Sequence, residues 1–258
     1  MATTTSLPKS EPKATALATG IPPSSLPPIS IRTDAEAQAR FNALTARVFL
    51  KEPLTTLFHY ETNNVTDGMV RIESVFESYS LRTTRKLKDG GIIIEAGNWA
   101  AAAIWDPPGA SVMGPPLTAE QREKRPIFCS FMDGIAAARL KYLGPGAKYW
   151  HLSMMVRDPD VQPPVKGAVR AVIEPYMRRA EEDGLPIWIE AGSPRARDVY
   201  GYLGFELLEE MRSGKGTHQA DGYPVVNGED APGVPTWFMI YNKPRSTHGE
   251  TNGNVSGI

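Results

Sequence analysis

Residues 149–205 decide the fold of this chain. Four segments carry the pattern: YWHLSMMVR (149–157), DPDVQPPVK (158–166), PIWIEA (186–191) and SPRARDVYGYLGF (193–205). The first and third are short apolar runs typical of buried strands, and the proline-rich second segment is typical of a loop. The pattern therefore predicts a strand, a loop and a second strand that lie close together in sequence.

A helix is predicted between those two strands. Apolar residues recur there at helical spacing, on one face: Val169, Val172, Ile173, Tyr176, Met177 and Ala180. Gly184 is placed to end this helix. Ser193 and Pro194 are typical of an N-cap and a first helical residue, so a short helix follows the second strand and stops at Gly204.

The flanking sequence extends this alternation. Further strands are predicted at 29–32, 92–96, 100–105, 205–211 and 236–241. Thr33 and Glu36 are spaced as a capping box that opens a first helix, and a second helix is expected after Asp67. Thr118 and Gln121 form a similar pair before a helix, or a pair of helices broken at Pro126, that runs to about Leu143. We expect an α/β fold with a twisted mixed central sheet flanked by helices.

The two ends of the chain differ from the middle. Residues 1–28 and 245–258 are rich in proline, serine, threonine and glycine and poor in large apolar residues, so each is predicted to be a disordered tail. Residues 29–244 contain no internal repeat and no linker. A single domain over 29–244 is therefore expected.

Composition excludes several classes of protein. The 28 basic and 29 acidic residues leave a net charge of −1, and the basic run Arg82–Lys88 is interpreted as the polar end of a helix. No nucleic-acid partner is therefore expected. The single cysteine, Cys129, excludes an internal disulfide and is expected to be a buried thiol, while scattered histidines predict no metal site. No apolar run is long enough to cross a membrane.

The N-terminus lacks the basic and hydrophobic regions of a secretory signal. A cytoplasmic protein, either a monomer or a homodimer, is the expectation.

Two features could build a ligand site. A glycine at the N-terminus of a helix, Gly167, leaves main-chain N–H groups facing an incoming anion. Taken alone it is equally an ordinary tight turn. Tyr200 lies on a short helix between two strands, four residues before Gly204, and taken alone it is a core tyrosine.

Together these features resemble the GNAT family of N-acetyltransferases. Pro159, Gln162 and Gly167 match the family's coenzyme loop, Pro-x-x-Gln-x-x-Gly-x-Gly/Ala, although Val165 replaces the middle glycine and Pro163 and Pro164 remove two N–H donors. The family's later motif is matched, with Ser in place of Asn, by Ser193, Ala196, Val199, Tyr200, Gly204 and Phe205. This second match is the more specific, and the segment also resembles the fungal and puromycin N-acetyltransferase-like members.

The resemblance implies a fold in which two neighbouring strands splay apart and acetyl-CoA inserts between them. It implies coenzyme contacts at Met155, Val156, Arg157, Gln162, Val165, Lys166, Gly167, Ala168, Ser193 and Tyr200, and no metal. The acceptor would be a primary amine of a small molecule, acetylated by direct attack without an acyl-enzyme.

The resemblance also implies catalytic roles. Tyr200 is the family's residue for protonating the departing thiolate, and a carboxylate is a reasonable base for the amine. Glu190 is the first candidate for that base, although it could instead hold a nearby loop or Arg195. His151 is a second candidate.

Two alternatives stay open. One is a degenerate member of the fold that binds an acyl-CoA or a partner without catalysis, which the altered Gln162–Gly167 loop would explain. The other is an unrelated α/β binding module.

Overall fold

The structure, a computed structural model, describes residues 26–111, 114–225 and 230–243. The strands are β1 (Ile29–Arg32), β2 (Val65–Thr66), β3 (Met69–Val70), β4 (Ile92–Ala96), β5 (Ala101–Asp106), β6 (Trp150–Arg157), β7 (Ile187–Ala191), β8 (Glu206–Ser213) and β9 (Val234–Tyr241). The helices are α1 (Ala35–Phe49), α2 (Pro53–Glu61), α3 (Ile72–Lys88), α4 (Ala119–Lys124), α5 (Pro126–Leu143), α6 (Ala168–Asp183) and α7 (Pro194–Tyr202).

Seven strands form one sheet in the order β1-β4-β5-β6-β7-β9-β8. Every neighbouring pair is antiparallel except β6 and β7, which are parallel and joined by α6. A parallel pair needs such a crossover helix because the chain must return to the same end of the sheet. The α/β fold with a mixed central sheet is confirmed.

The two faces of the sheet bury different sets of side chains. On one face α6 packs its predicted apolar stripe, and the Trp105 ring stacks on Tyr176 with ring centres 4.5 Å apart. On the other face α1 packs through Phe41 and Leu44, and α5 packs through Ile135 against Trp188. Each face of the central strands is therefore covered by helices, which explains their continuous apolar sequence.

Several predicted capping residues are confirmed. The Ser193 hydroxyl accepts a hydrogen bond from the Ala196 N–H at 3.3 Å, and Pro194 is the first residue of α7. Gly184 ends α6 in the left-handed conformation with φ 64°. Thr118 and Gln121 form a complete capping box at α4, and Cys129 is buried.

The first helix begins differently from the prediction. Its N-cap is Asp34 and not Thr33, because the Asp34 carboxylate accepts the Ala37 N–H at 3.0 Å and pairs with Arg32 at 2.8 Å. Aspartate is as good an N-cap as threonine, so the spacing alone did not separate the two.

The second predicted helix begins later than expected. Met69 lies in β3, which pairs with β2 around Asp67 and Gly68, both at positive φ. An Asp-Gly pair favours this hairpin turn. The helix starts only at Ile72, and α2 is a helix that the sequence analysis did not predict.

The basic run Arg82–Lys88 forms the last turns of α3 as predicted, but Lys86 is buried.

Of the predicted tails, 245–258 lies outside the described residues, and so does 1–25. Pro28 accepts a hydrogen bond from the Gly97 N–H at 3.2 Å, and Leu26 packs against the core.

Candidate active site

A gap opens between β6 and β7 partway along their length. They pair at three positions only, Trp150–Ile187, His151–Trp188 and Leu152–Ile189. On its other side β6 stays paired with β5 as far as Arg157. The main chain of β6 beyond Leu152 therefore faces a gap rather than β7. We call this gap the β6–β7 slot.

A bulge in β6 lies at the start of the slot. Ile104 pairs with Met154 and Trp105 pairs with Leu152, so Ser153 is an extra residue without a partner in β5. A bulge bends its strand and locally increases the twist, which directs β6 away from β7. Arg82 on α3 donates a hydrogen bond to the Ser153 carbonyl at 3.4 Å.

The predicted coenzyme contacts on β6 border this slot. Met155, Val156 and Arg157 follow the bulge and pair with β5 on their other side. Their side chains alternate between the two faces, with Met155 packed on the α6 side and Val156 buried against the α1 side. The main chain of these residues is what the slot presents to an extended ligand.

The loop from β6 to α6 begins at the open end of the slot, directly after Arg157. Asp158 and Asp160 pair with Arg47 of α1, the first at 2.8 Å, and Val165 packs against the core. Gln162 is exposed, and its side chain folds back along the loop to donate to the Pro159 carbonyl at 3.1 Å. The loop is thus anchored at both ends, with Lys166 exposed.

The N-terminus of α6 has uncapped main-chain donors. Gly167 is the N-cap residue with φ 79°, and no side chain bonds to the first turn. The first turn of a helix has N–H groups without intrahelical partners, and the helix dipole adds positive potential there. Ala168, which begins the helix, is buried. This terminus can bind an anionic group such as a phosphate.

Tyr200 is buried on α7, with 6% of its surface exposed. Burial raises the pKa of its hydroxyl, and the charge of Glu52 raises that pKa further. The hydroxyl therefore stays protonated at neutral pH and can donate a proton. Ser193, the other motif residue on α7, uses its hydroxyl to cap the helix.

Glu190 follows the last residue of β7 that pairs with β6, and three side chains hold its carboxylate. Arg139 donates to Oε1 at 2.6 Å, Trp188 Nε1 donates to Oε1 at 2.7 Å, and His151 Nε2 lies 2.9 Å from Oε2. Burial alone would raise the pKa of Glu190. The charges of Arg139 and His151 outweigh it and hold the pKa well below its ordinary value.

Glu52 is a residue that the sequence analysis missed. It precedes α2, half-buried, and among the described residues its side chain has no hydrogen bond and no ion pair. Burial raises its pKa, and its charge raises the pKa values of both Tyr79 and Tyr200. Tyr79 in turn bonds to Thr55 of α2 at 3.1 Å.

The sequence held only a weak signal for Glu52. Glutamate is not a favoured N-cap residue, yet it stands at that position before Pro53. Its closeness to Tyr200 depends on how α2 and α7 pack around the sheet.

In the described part of the chain, no three His, Cys, Asp or Glu side chains are grouped to hold a metal ion. Within those same residues no helix has both the length and the apolar character to cross a membrane.

Comparison with solved structures shows which fold this is. An agmatine N-acetyltransferase aligns with 83% of this chain and 98% of its own, at 16% identity and a TM-score of 0.51. The C-terminal condensation domain of Ebony aligns with 84% and 99%, at 13% identity and a TM-score of 0.56. A histone acetyltransferase and related acetyltransferase from Corynebacterium glutamicum aligns with 86% and 99%, at 16% identity and a TM-score of 0.51.

Curated sequences are similar over part of the chain. An uncharacterized protein of Saccharomyces cerevisiae is 28% identical over 153 residues, which are 59% of this chain and 62% of that protein. The putative increased recombination centers protein 11 of the same yeast is 28% identical over 117 residues, 45% of this chain and 72% of its own. The chain thus matches less than two thirds of the first relative. No family model matches.

The strand order, the single parallel pair and these alignments together show the GNAT fold.

Proposed function

We propose that the protein is an N-acetyltransferase of the GNAT family, which transfers an acetyl group from acetyl-CoA to a primary amine of a small molecule. The observation that carries the proposal is the β6–β7 slot, which opens beside the uncapped N-terminus of α6. An extended amide-bearing arm linked to a pyrophosphate is a ligand that fits both features.

The residues of the slot suit acetyl-CoA in two ways. The main chain of Met155, Val156 and Arg157 can pair with the amides of the pantetheine arm as a further strand would. The N–H groups of the first turn of α6 next to Gly167 can receive the pyrophosphate, although the Ala168 N–H also lies 3.4 Å from the Val165 carbonyl. Lys166 is exposed next to them and adds a positive charge.

Gln162, Val165 and Ser193 have a supporting part in this proposal. The Gln162 side chain and the packed Val165 shape the loop, and Ser193 caps the helix that carries Tyr200. Each therefore acts on coenzyme affinity by placing main-chain groups.

Acetyl-CoA, when bound, supplies the acetyl group, and the protein handles two protons. The amine nitrogen forms a bond to the acetyl carbon, and the bond from that carbon to sulfur breaks. Tyr200 donates its proton to the departing sulfur, since its buried hydroxyl is protonated at neutral pH. A main-chain N–H near Met155 or Val156 stabilises the carbonyl oxygen as charge develops on it.

The proton lost by the amine needs a base, and the structure offers two carboxylates. Glu190 was the candidate from sequence, but Arg139 and Trp188 already donate to Oε1 and His151 lies against Oε2. Glu52 has neither ion pair nor side-chain hydrogen bond among the described residues, and burial raises its pKa above the ordinary glutamate value. A base works best when its pKa is near the operating pH. We therefore assign the base to Glu52 and keep Glu190 as the alternative.

A second function, binding of an acyl-CoA without catalysis, is favoured by one observation. Pro163 and Pro164 lack N–H groups in the loop that would receive the pyrophosphate, and Val165 stands where the family has glycine. A catalytic protein and a protein that only binds acyl-CoA would both have the slot. They would differ in whether the bound coenzyme is turned over.

An amine screen tests the proposal. The protein is incubated with acetyl-CoA and with agmatine, tyramine or glucosamine, and free thiol and acetylated amine are both measured. Transfer predicts equal amounts of the two products. Thermal stabilisation by acetyl-CoA without product would support the binder instead, and no stabilisation at all would contradict both functions.

A further inference from the structure

We propose that the bridge between His151 and Glu190 forms the closed end of the β6–β7 slot and restricts the coenzyme to a short acyl group. This rests on the proposed function, because it concerns the same coenzyme site. It makes His151, Asp106 and Lys86 positioning residues for donor selection, a role separate from proton transfer.

The bridge spans the point where the two strands part. His151 belongs to the second of the three paired positions, and Glu190 is the first residue of β7 beyond the last one. Their side chains lie on the α5 side of the sheet, and His151 Nε2 is 2.9 Å from Glu190 Oε2. Among the described residues, no side-chain hydrogen bond joins β6 to β7 further into the slot.

His151 is held from the side of β5 and α3. Its Nδ1 donates to Asp106 Oδ2 at 2.8 Å, and the same oxygen accepts from Lys86 Nζ at 2.5 Å. The exposed fractions of the three side chains are 2–3%. Burial lowers the pKa of Lys86 to about 8, with Arg82 contributing and Asp106 opposing. Buried charges in such a chain cost free energy unless each has a partner, so their geometry is tightly fixed.

Glu190 is held from the side of α5. Arg139 donates to Oε1 at 2.6 Å and also lies 3.1 Å from His151 Nε2. When Nε2 is protonated it donates to Glu190, and when it is not it accepts from Arg139, which is itself bonded to Glu190. His151 therefore stays linked to β7 in either form of the ring.

The direction of the coenzyme in the slot follows from its two ends. The pyrophosphate belongs at the open end, at the N-terminus of α6, and the pantetheine arm then runs toward Leu152. The acyl group is thus the part of the molecule nearest to the bridge. A rigid closed end leaves room for an acetyl group and excludes longer acyl chains. Each added methylene can change the preference between two substrates by roughly 10–200-fold.

Binding of two coenzymes tests this without any acceptor. Calorimetry should show that the wild-type protein binds acetyl-CoA more tightly than butyryl-CoA. In His151→Ala the bridge is lost and space opens, so the ratio of the two Kd values should shrink by roughly 10-fold or more. Asp106→Asn, which keeps the size of the side chain but removes the charge that holds His151, should shrink it by less.

The control is Asp183→Ala. It removes a hydrogen bond of 3.0 Å to Trp150 Nε1 at the start of β6, away from the slot. It should lower the Tm without changing the Kd ratio. If the ratio stays at the wild-type value in a folded His151→Ala, or in Asp106→Asn when the first variant does not fold, the bridge is only structural and the proposal fails.

The result also separates this proposal from the proposed function. A wild-type protein that prefers acetyl-CoA but acetylates no amine contradicts transfer alone. A wild-type protein that acetylates amines yet binds butyryl-CoA equally well contradicts only the role of the bridge. Binding of neither coenzyme overturns both.

Discussion

Glu52 and Tyr200 lie close enough for the charge of one to raise the pKa of the other, although α2 and α7 come from distant parts of the chain. Burial raises the pKa of both groups. A protonated phenol and a carboxylate that has no ion pair among the described residues are thus close enough to influence each other. This arrangement suits a reaction that takes a proton from an amine and gives one to a thiolate.

Tyr200→Phe should lower kcat by about 10²- to 10⁴-fold while the Kd for acetyl-CoA changes little, because the hydroxyl acts on the departing sulfur. Steady-state kinetics and calorimetry measure the two quantities. A purely structural tyrosine would show the reverse pattern, an unchanged kcat and a stability loss of about 1 kcal/mol.

Glu52→Gln should lower kcat and remove the acidic limb of the pH–rate profile, because an amide cannot accept the proton of the amine. Burial raises the pKa of Glu52, so the wild-type limb should lie above the ordinary glutamate value of 4.5. The rate should fall as the pH drops through that limb and the carboxylate becomes protonated.

Glu190→Gln is the matched comparison for the base. It should leave the acidic limb in place, because Arg139 and Trp188 already donate to that carboxylate and its pKa is lowered. Loss of the limb in Glu190→Gln and its survival in Glu52→Gln would return the role of base to Glu190.

Gly167→Leu should weaken coenzyme binding strongly. A side chain there would occupy the approach to the first turn of α6, and its positive φ of 79° is strained for leucine. Gly184→Leu is the control, because that glycine ends the same helix at φ 64° with open space around it. Both variants should lose stability, but only the first should raise the Kd measured by calorimetry. Equal Kd values would place the coenzyme elsewhere.

The free energy of unfolding should fall in acid because of Glu190. Its folded pKa is lower than its unfolded value, so its contribution is full above about 4.5 and is lost as the pH falls below that. Urea unfolding at several pH values measures this slope. Glu190→Gln should be less stable at neutral pH and show a shallower acid dependence, and an unchanged slope would contradict the lowered pKa.

Periodic and capping patterns predicted the core of the fold. The apolar stripe of α6 and the Ser193–Pro194 start of α7 depend on neighbours in sequence, so both could be predicted from the sequence alone. The predicted N-cap of α1 differs by one residue from the observed N-cap, because Thr33 and Asp34 are both favourable N-cap residues.

The partners of Glu190 could not be predicted in this way. Its contact with His151 depends on a three-position parallel register and on the bulge at Ser153, both properties of the assembled sheet. In the sequence Lys86 is one of several cations in a basic run, and nothing distinguishes it from its neighbours. It is buried beside Asp106 because α3 packs against β5. The assignments of Met155, Val156, Arg157 and the α6 loop to the coenzyme remain predictions.

A crystal structure of the complex with acetyl-CoA tests the central claim most directly. The account predicts the pantetheine arm between β6 and β7, paired with the main chain of Met155–Arg157. The pyrophosphate should lie at the first turn of α6, and the sulfur within reach of the Tyr200 hydroxyl. A coenzyme bound elsewhere, or β6 and β7 paired beyond Leu152 with the slot closed, would contradict it.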